Sequence, residues 1–268
     1  MIHARISLIG AGPGDPELLT LKAWRAIRQA DVILYDRLVN PGLLEIAEDA
    51  REKIYVGKTP FAAQWRQEDI NQLLVSKALQ YGHAVRLKGG DPFIFGRGFE
   101  EWEAARQENI TVEVIPGISS STGVPALAAI PLTLRGVCES VWIATGTAGP
   151  AALSADIRLA LRSSATIVIL MGMHCLDKIM ALISGAGKSH MPVAVIQNGS
   201  LPDEKMVVAT AAHICQAVQQ KNISNPALII AGEVVRHAYP TYFQNDDMNI
   251  NTMDKSEALT AAHPSSPL

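Results

Sequence analysis

A ten-residue segment from Gly89 to Gly98 contains four glycines, with an aspartate and an arginine between them. Glycine lets the backbone approach a ligand closely. Asp91 can accept hydrogen bonds from ribose hydroxyls or an amino group, and Arg97 offers a planar fork suited to carboxylates. The segment follows a predicted strand, and ligands of open α/β sheets bind at the carboxyl ends of strands. It therefore predicts a ligand-binding loop. A structural turn with Phe93 and Phe95 packed inward is the alternative.

A second glycine turn, Gly10 to Asp15, follows the first predicted strand. Asp15 is a suitable N-cap and Pro16 suits the first position of a helix. A dinucleotide-binding loop needs a third glycine where Asp15 stands, and Pro13 removes one N–H from the cradle that a pyrophosphate uses. The turn therefore predicts a glycine-lined pocket for an uncharged or cationic group, and a plain strand-to-helix turn is the alternative.

Composition narrows the class of protein. The chain has 268 residues, of which 48% are hydrophobic and 18% charged, and its net charge is −3. The segment from Gln244 onward contains four acidic residues and one basic residue, so residues 1–243 are close to neutral. They therefore lack the excess of positive charge that attracts nucleic acid. Apolar runs fall well short of the ~20 residues of a membrane span. The three cysteines are scattered, which predicts neither disulfides nor a metal site and favours a cytoplasmic location.

Short β-branched runs alternate with helical periodicity, as in α/β proteins with largely parallel sheets. Helices are predicted at 67–79, with Ile70, Leu73, Leu74 and Ala78 on one face, and at 119–129. We predict an N-terminal α/β domain (1–116), a C-terminal α/β domain (117–243) and a disordered tail (244–268). The predicted strands are 6–10, 32–35, 53–56, 84–87, 111–115, 141–144, 165–170, 193–197, 206–209 and 227–231.

Taken together, the motifs resemble those of the uroporphyrinogen-III C-methyltransferases, within the tetrapyrrole methylase family. The resemblance spans about residues 5–235. It rests on Gly10–Asp15, Tyr35–Val39, Val56–Lys58, Leu87–Gly98 with Glu100-Glu101, Ile115–Ile118, Ile130–Thr133, Met171-Gly172 and Gln197–Gly199.

This resemblance implies two α/β domains, each a mixed, mostly parallel sheet flanked by helices, with the cofactor bound between them, usually in a homodimer. It implies S-adenosylmethionine as methyl donor, leaving as S-adenosylhomocysteine, and no metal. The implied substrate is a tetrapyrrole polycarboxylate, uroporphyrinogen III, methylated at C2 and C7 to give precorrin-2 for sirohaem, cobalamin or haem d1. The implied cofactor contacts are Pro13, Gly89, Gly90, Asp91, Ile94, Ser119, Ser120, Met171 and Gly199.

Four further residues have catalytic roles by resemblance. Asp36 and Lys58 match the proposed proton acceptor and donor, although Lys58 is also suited to binding a substrate carboxylate. Arg97 is expected to orient the substrate or to ease proton loss from a pyrrole, with Glu100 fixing its guanidinium. An ordinary i,i+3 ion pair is the alternative for these two. Further cations are available for a polycarboxylate, and about half of the set should face solvent: Arg37, Lys58, Arg66, Arg86, Lys88, Arg97 and Arg135.

Several positions depart from the family pattern, and they bear on the acceptor more than on the cofactor loops: Thr59–Gln64, Phe99, Ser119–Ser121, Leu134 and Thr147. Three alternatives therefore stay open. The chain is a methylase of another tetrapyrrole, a non-catalytic relative that still binds the cofactor, or, least favoured because of Asp15, a nicotinamide-dependent oxidoreductase.

Overall fold

The computed structural model describes residues 3–57, 65–146, 153–243 and 252–253. The chain forms two compact units, Met1–Ser119 and Ser120–Leu268. The domain boundary predicted after residue 116 stays a prediction. The tail predicted at 244–268 lies outside the described residues, apart from a two-residue strand at Thr252–Met253.

The first unit is built on a five-stranded sheet in the order β3-β2-β4-β1-β5, with every neighbouring pair parallel. The strands are β1 Arg5–Gly10, β2 Val32–Tyr35, β3 Glu52–Tyr55, β4 His83–Lys88 and β5 Thr111–Ile115. The helices are α1 Leu21–Arg28, α2 Gln67–Tyr81 and α3 Gly98–Gln107, with 3₁₀ turns at Pro16–Leu18 and Pro41–Ile46.

Helices cover both faces of this sheet, as parallel sheets require. On one face Ile9 and Leu87 pack with Ile27 of α1, and on the other Leu8 packs with Leu74 of α2 and Ala105 of α3. The predicted helical stripe is confirmed, because Ile70, Leu74 and Ala78 are buried and Leu73 packs partly buried beside them.

The chain leaves the adjacent strands β1 and β4 towards opposite faces of the sheet. After β1 it continues to α1, and after β4 it continues to α3 on the other side. Such a change of direction opens a crevice at the carboxyl ends of the strands, where ligands bind in open α/β sheets. Both glycine segments lie at this edge.

The second unit carries a six-stranded sheet in the order β11-β9-β8-β10-β7-β6. Its strands are β6 Val141–Thr145, β7 Thr166–Leu170, β8 Pro192–Gln197, β9 Lys205–Thr210, β10 Ala227–Ala231 and β11 Thr252–Met253. Its helices are α4 Ser120–Leu127, α5 Ala155–Ala160, α6 Leu176–Gly185, α7 Ile214–Gln220 and α8 Glu233–Ala238, with 3₁₀ turns at Met173–Cys175 and Pro240–Phe243.

The α/β class and the two sheets are confirmed, but the strand directions need correction. The first sheet is wholly parallel rather than mixed, and in the second only β6 and β7 pair in parallel. Residues 198–204 join β8 to β9, and this link is too short for the crossover of about a dozen residues that parallel neighbours need. In addition, β10 lies antiparallel between β7 and β8. No described helix is long and apolar enough to cross a bilayer.

Candidate active site

Three strand ends of the first unit meet through their glycines. A Cβ on Gly10 would stand 2.5 Å from Gly117 Cα and 2.6 Å from the carbonyl oxygen of Gly90. The two glycine segments are also hydrogen-bonded, because the N–H of Gly12 donates to Gly90 (3.2 Å) and the N–H of Gly90 donates to Gly12 (2.7 Å). Bare backbone from β1, β4 and β5 thus forms the floor of the carboxyl edge.

Asp91 is fixed at this floor by both of its carboxylate oxygens. Oδ1 accepts from the N–H of Phe93 (2.9 Å) and Oδ2 from the N–H of Gly117 (3.2 Å). Each carboxylate oxygen can accept more than one hydrogen bond. Asp91 therefore holds the loop after β4 to the end of β5 and still has capacity to accept from a ligand hydroxyl or amino group.

The remainder of the glycine-rich segment is a tight turn. A Cβ on Gly96 or Gly98 would stand 2.5 Å or 2.6 Å from the carbonyl oxygen of Pro92, which accepts from the N–H of Gly98. Phe95 and Arg97 both adopt positive φ. The alternative with inward-packed phenylalanines is wrong, because Phe93 and Phe95 are 49% and 43% exposed. Ile94, a predicted cofactor contact, is also exposed.

The turn after the first strand also lies at this edge, and Pro13 within it is half-buried. The predicted cap is confirmed, since Asp15 accepts from the N–H of Glu17, although the helix that it opens is a short 3₁₀ turn. Asn40 donates to the carbonyl of Gly14 (2.9 Å), which ties this turn to the loop after β2.

Asp36 stands on that loop, directly after β2. Its Oδ1 accepts from the N–H of Leu38 (3.0 Å), and its Oδ2 lies 3.6 Å from a guanidinium nitrogen of Arg86. Leu38 in turn packs where a side chain on Gly89 would stand, 2.6 Å from that Cβ position. The structure thus brings Asp36 and the glycine-rich loop together. Lys58 lies outside the described residues.

Arg97 and Glu100 form the i,i+3 ion pair that was one of the two interpretations. The contact has two hydrogen bonds, Nε to Oε1 (2.7 Å) and a terminal nitrogen to Oε2 (2.6 Å). This hydrogen bonding raises the pKa of Arg97 and lowers the pKa of Glu100. The two hydrogen bonds hold the guanidinium in place. Because the pair is about half exposed, one side of the guanidinium faces outward.

A buried group of charges that was not predicted from the sequence lies behind this edge. Glu101 is fully buried and accepts from Arg86 Nε (2.9 Å) and from Lys88 Nζ (2.8 Å). Burial lowers the pKa of Lys88, and the positive charge of Arg86 lowers the same pKa further. The carboxylate of Glu101 acts in the opposite direction and raises it. Neither cation is therefore a free site for a substrate carboxylate. The signal was available: two cations alternate on a central strand buried on both faces, and such cations need an anion.

In the second unit, predicted contacts also follow strand ends. Met171 comes directly after β7, has positive φ and is exposed. Gly199 comes after β8, and a Cβ on it would stand 2.3 Å from a methyl of Val124 on α4. Ser120 is the first residue of α4, and Ser119, which is buried, is the last residue of the first unit. Because β7 and β8 are both antiparallel to β10, their carboxyl ends share one edge.

No cluster of three or more His, Cys, Asp or Glu suited to a metal ion occurs in the described part of the chain. The groups that the carboxyl edge of the first unit offers to a ligand are backbone N–H and C=O groups, the fixed carboxylates of Asp36 and Asp91, and the half-exposed guanidinium of Arg97.

Comparison with known proteins identifies the family. The sequence profile of the tetrapyrrole (corrin/porphyrin) methylases matches residues 5–215. The chain belongs to the tetrapyrrole methylases. It is 42% identical to the uroporphyrinogen-III C-methyltransferase of Methanocaldococcus jannaschii, over 86% of this chain and 96% of that protein. It is 43% identical to the siroheme synthase of Hydrogenovibrio crunogenus over 87% of this chain, which is 50% of that protein.

Among solved structures, this methylase is similar to the uroporphyrin-III C-methyltransferase of Thermus thermophilus in complex with S-adenosylhomocysteine. The TM-score is 0.74 and the identity 38%, over 87% of this chain and 99% of that chain. The methylase spans about half the length of the siroheme synthases that it matches. Every predicted site residue, from Pro13 to Gly199, lies inside the segment matched by the family profile.

Proposed function

We propose that this methylase is an S-adenosylmethionine-dependent C-methyltransferase that converts uroporphyrinogen III to precorrin-2. Family membership, together with the 42% identity to a methyltransferase of nearly the same length, supports the proposal. The structural observation that carries it is the carboxyl edge of the first unit, where Asp91, Asp36 and the Arg97–Glu100 pair follow strand ends whose glycines form a bare backbone surface.

The residues at the two strand edges suit this cofactor. The turn from Gly10 to Asp15 carries no basic side chain to bind phosphate, and Pro13 within it lacks an N–H, which fits a ligand without a pyrophosphate. Asp91 is held where it can accept hydrogen bonds from the ribose hydroxyls or the amino group of the cofactor. Ile94 and Met171 are exposed and offer apolar surface to the cofactor. When bound, S-adenosylmethionine supplies an electrophilic methyl group on a sulfonium. We assign its binding to these residues together with Gly89, Gly90, Ser119, Ser120 and Gly199.

The chain's own contribution to the chemistry is alignment, exclusion of water and proton movement. The acceptor is an electron-rich pyrrole carbon, and a proton must leave the substrate after each new carbon–carbon bond forms. Asp36, held by the N–H of Leu38 and by Arg86, is our choice as proton acceptor. Arg97, held by Glu100, orients a substrate carboxylate, and Lys58 is our choice as proton donor.

Three further properties belong to this proposal. The product serves sirohaem, cobalamin or haem d1, the functional form is a homodimer, and the protein is cytoplasmic. The resemblance to the family and the relatives named uroporphyrinogen-III C-methyltransferase and siroheme synthase support the pathway.

Two exposed ion pairs of the first unit, Arg97–Glu100 and Lys22–Glu113, allow a matched test of whether Arg97 orients the substrate. Arg97→Ala removes the bidentate partner of Glu100, and Lys22→Ala removes a comparably exposed pair with Glu113 (2.7 Å). Exposed ion pairs contribute about 0–1 kcal/mol to stability, so both variants should have a free energy of unfolding close to that of the wild type. We expect Arg97→Ala to lower the rate of S-adenosylhomocysteine release with uroporphyrinogen III by about 10- to 100-fold. Lys22→Ala should not. Near-normal turnover by Arg97→Ala would remove that role.

A further inference from the structure

Glu101 lies at the centre of a buried charge cluster that the proposed chemistry does not use directly. Its carboxylate accepts from Arg86 Nε (2.9 Å), from Lys88 Nζ at both oxygens (2.8 Å each) and from Gln67 Nε2 (3.3 Å). Its side chain is 0% exposed, and those of the two cations are 5% and 4% exposed. Taking three ionised groups out of water is costly, and apolar residues of similar size are often as stabilising or more so. Stability alone therefore does not account for the cluster.

The strand register shows how unusual the place is. Arg86 of β4 stands opposite Leu8 of β1 and Leu34 of β2, both of which are fully buried in the apolar layer beneath α2 and α3. A guanidinium in this row must be satisfied in several directions. One terminal nitrogen of Arg86 donates to the carbonyl oxygens of Leu87 (2.9 Å) and Leu34 (3.4 Å). The hydrogen bond to Glu101 completes its fixation.

The other terminal nitrogen of Arg86 points to the site. It lies 3.6 Å from Oδ2 of Asp36, whose side chain is 27% exposed. The opposite oxygen of Asp36 accepts from the N–H of Leu38. Asp36 is thus held from two sides. With Asp36 ionised, its charge and that of Glu101 balance those of Arg86 and Lys88, and loss of Glu101 would leave two buried cations beside one carboxylate.

We propose that Glu101 is a positioning residue that fixes the Arg86 guanidinium, through which the Asp36 carboxylate is held in place for proton acceptance. The chain of contacts runs from α3 through β4 to the loop after β2, without Glu101 touching substrate. The inference rests on the proposed function for its catalytic consequence. The positioning of Asp36 itself is measurable without any turnover.

Two substitutions perturb the chain of contacts at different points. Glu101→Gln keeps the shape of the side chain and removes its charge. Arg86→Lys keeps one buried cation but lacks the fork that reaches Glu101 and Asp36 together. As a control, Lys77→Gln removes a half-buried ion pair with Glu52 (2.6 Å) in the same unit, away from Asp36. Arg86→Lys, which retains the charge, serves if Glu101→Gln does not fold.

The first readout is the carboxyl ¹³C resonance of Asp36 in protein labelled at aspartate, assigned from its loss in Asp36→Asn. We expect this resonance to shift in Arg86→Lys and in Glu101→Gln and to stay in place in Lys77→Gln. An unchanged resonance in a folded Arg86→Lys protein would overturn the proposal, whether or not the wild type methylates uroporphyrinogen III. Absence of wild-type turnover would contradict the proposed function instead.

The second readout is a double-mutant cycle on turnover. We expect Arg86→Lys to lower kcat about 10- to 100-fold, with the dissociation constant of S-adenosylhomocysteine unchanged. In the Asp36→Asn background the same substitution should have less than about a twofold effect, because residues that act as a unit are not additive. Equal losses of kcat in both backgrounds would show that Arg86 acts independently of Asp36, and would also overturn the proposal.

Discussion

Gly10→Ala tests the convergence of strand ends that underlies the site. The new Cβ would lie 2.5 Å from Gly117 Cα and 2.6 Å from the carbonyl oxygen of Gly90, both of which are backbone atoms that no rotamer change can move. Ordinary contact begins at 3.4 Å, so the backbone at Gly117, just after β5, and the end of β1 would have to separate by 0.9 Å (3.4 − 2.5). Overpacking of this kind costs about 1–3 kcal/mol. We expect the upper part of that range, because the opposing atoms are main chain.

The functional effect should exceed the effect on stability. The same separation displaces the N–H of Gly117 from Asp91 and disturbs the paired backbones of Gly12 and Gly90. A displacement near 1 Å at an aligned site lowers rates by about 100-fold. We therefore expect Gly10→Ala to bind S-adenosylhomocysteine at least tenfold more weakly, by isothermal titration calorimetry, and to lose most of its methyl transfer.

Gly185→Ala is the matched control for this experiment. A Cβ at Gly185, the last residue of α6, meets nothing within 4 Å, so the same chemical change is made without steric conflict. Alanine is favoured over glycine in a helix by about 0.5–1 kcal/mol. We expect urea denaturation to show equal or greater stability for this variant, with unchanged binding. Wild-type affinity and turnover in Gly10→Ala would refute the argument that close backbone approach is what requires glycine there.

Three further predictions concern stability and reactivity. Tyr239→Phe removes a buried hydroxyl that donates to the carbonyl of Ala128, and should lower the free energy of unfolding in urea by about 1–3 kcal/mol, since the carbonyl loses its partner. Burial lowers the pKa of His83 in the folded protein. As the pH falls below about 6.5, the unfolded chain therefore takes up a proton before the folded protein does, and the free energy of unfolding should decrease. Between about pH 7 and pH 5, His83→Gln should lose less of its free energy of unfolding in urea than the wild type. Burial and a hydrogen bond to Asp177 raise the pKa of Cys215 to about 12, so iodoacetamide at pH 8 should label Cys215, followed by peptide mass spectrometry, far more slowly in native than in urea-unfolded protein, and equal rates at Cys215 would contradict this.

Strand positions were predictable because the local pattern carries them. Runs such as 32–35, 111–115 and 227–231 were predicted with the bounds that the structure has, since β-branched residues and flanking turns mark both ends. The directions of the strands in the second sheet were not predictable in the same way. The short link 198–204 indicates the antiparallel pairing of β8 and β9, whereas the insertion of β10 between β7 and β8 joins residues distant in the chain and leaves no local signal.

The site was predictable where it follows strand ends. Asp36 and the glycine-rich loop come after β2 and β4, and the parallel sheet brings them to one edge. The two cations on β4 indicate that a buried anion is needed, but that Glu101 supplies it was not predictable, because a glutamate in the first turn of a helix ordinarily faces water and stabilises the helix dipole. Its burial depends on two cations that stand 13 and 15 residues earlier on a neighbouring strand.

The most direct test of the account is the mass of the product. The purified chain would be incubated anaerobically with uroporphyrinogen III and methyl-labelled S-adenosylmethionine, and the tetrapyrrole then identified by mass spectrometry. We predict the gain of two methyl groups, with two molecules of S-adenosylhomocysteine released for each tetrapyrrole. A tetrapyrrole that gains no methyl group, from protein that still binds S-adenosylhomocysteine, would contradict our choice of acceptor.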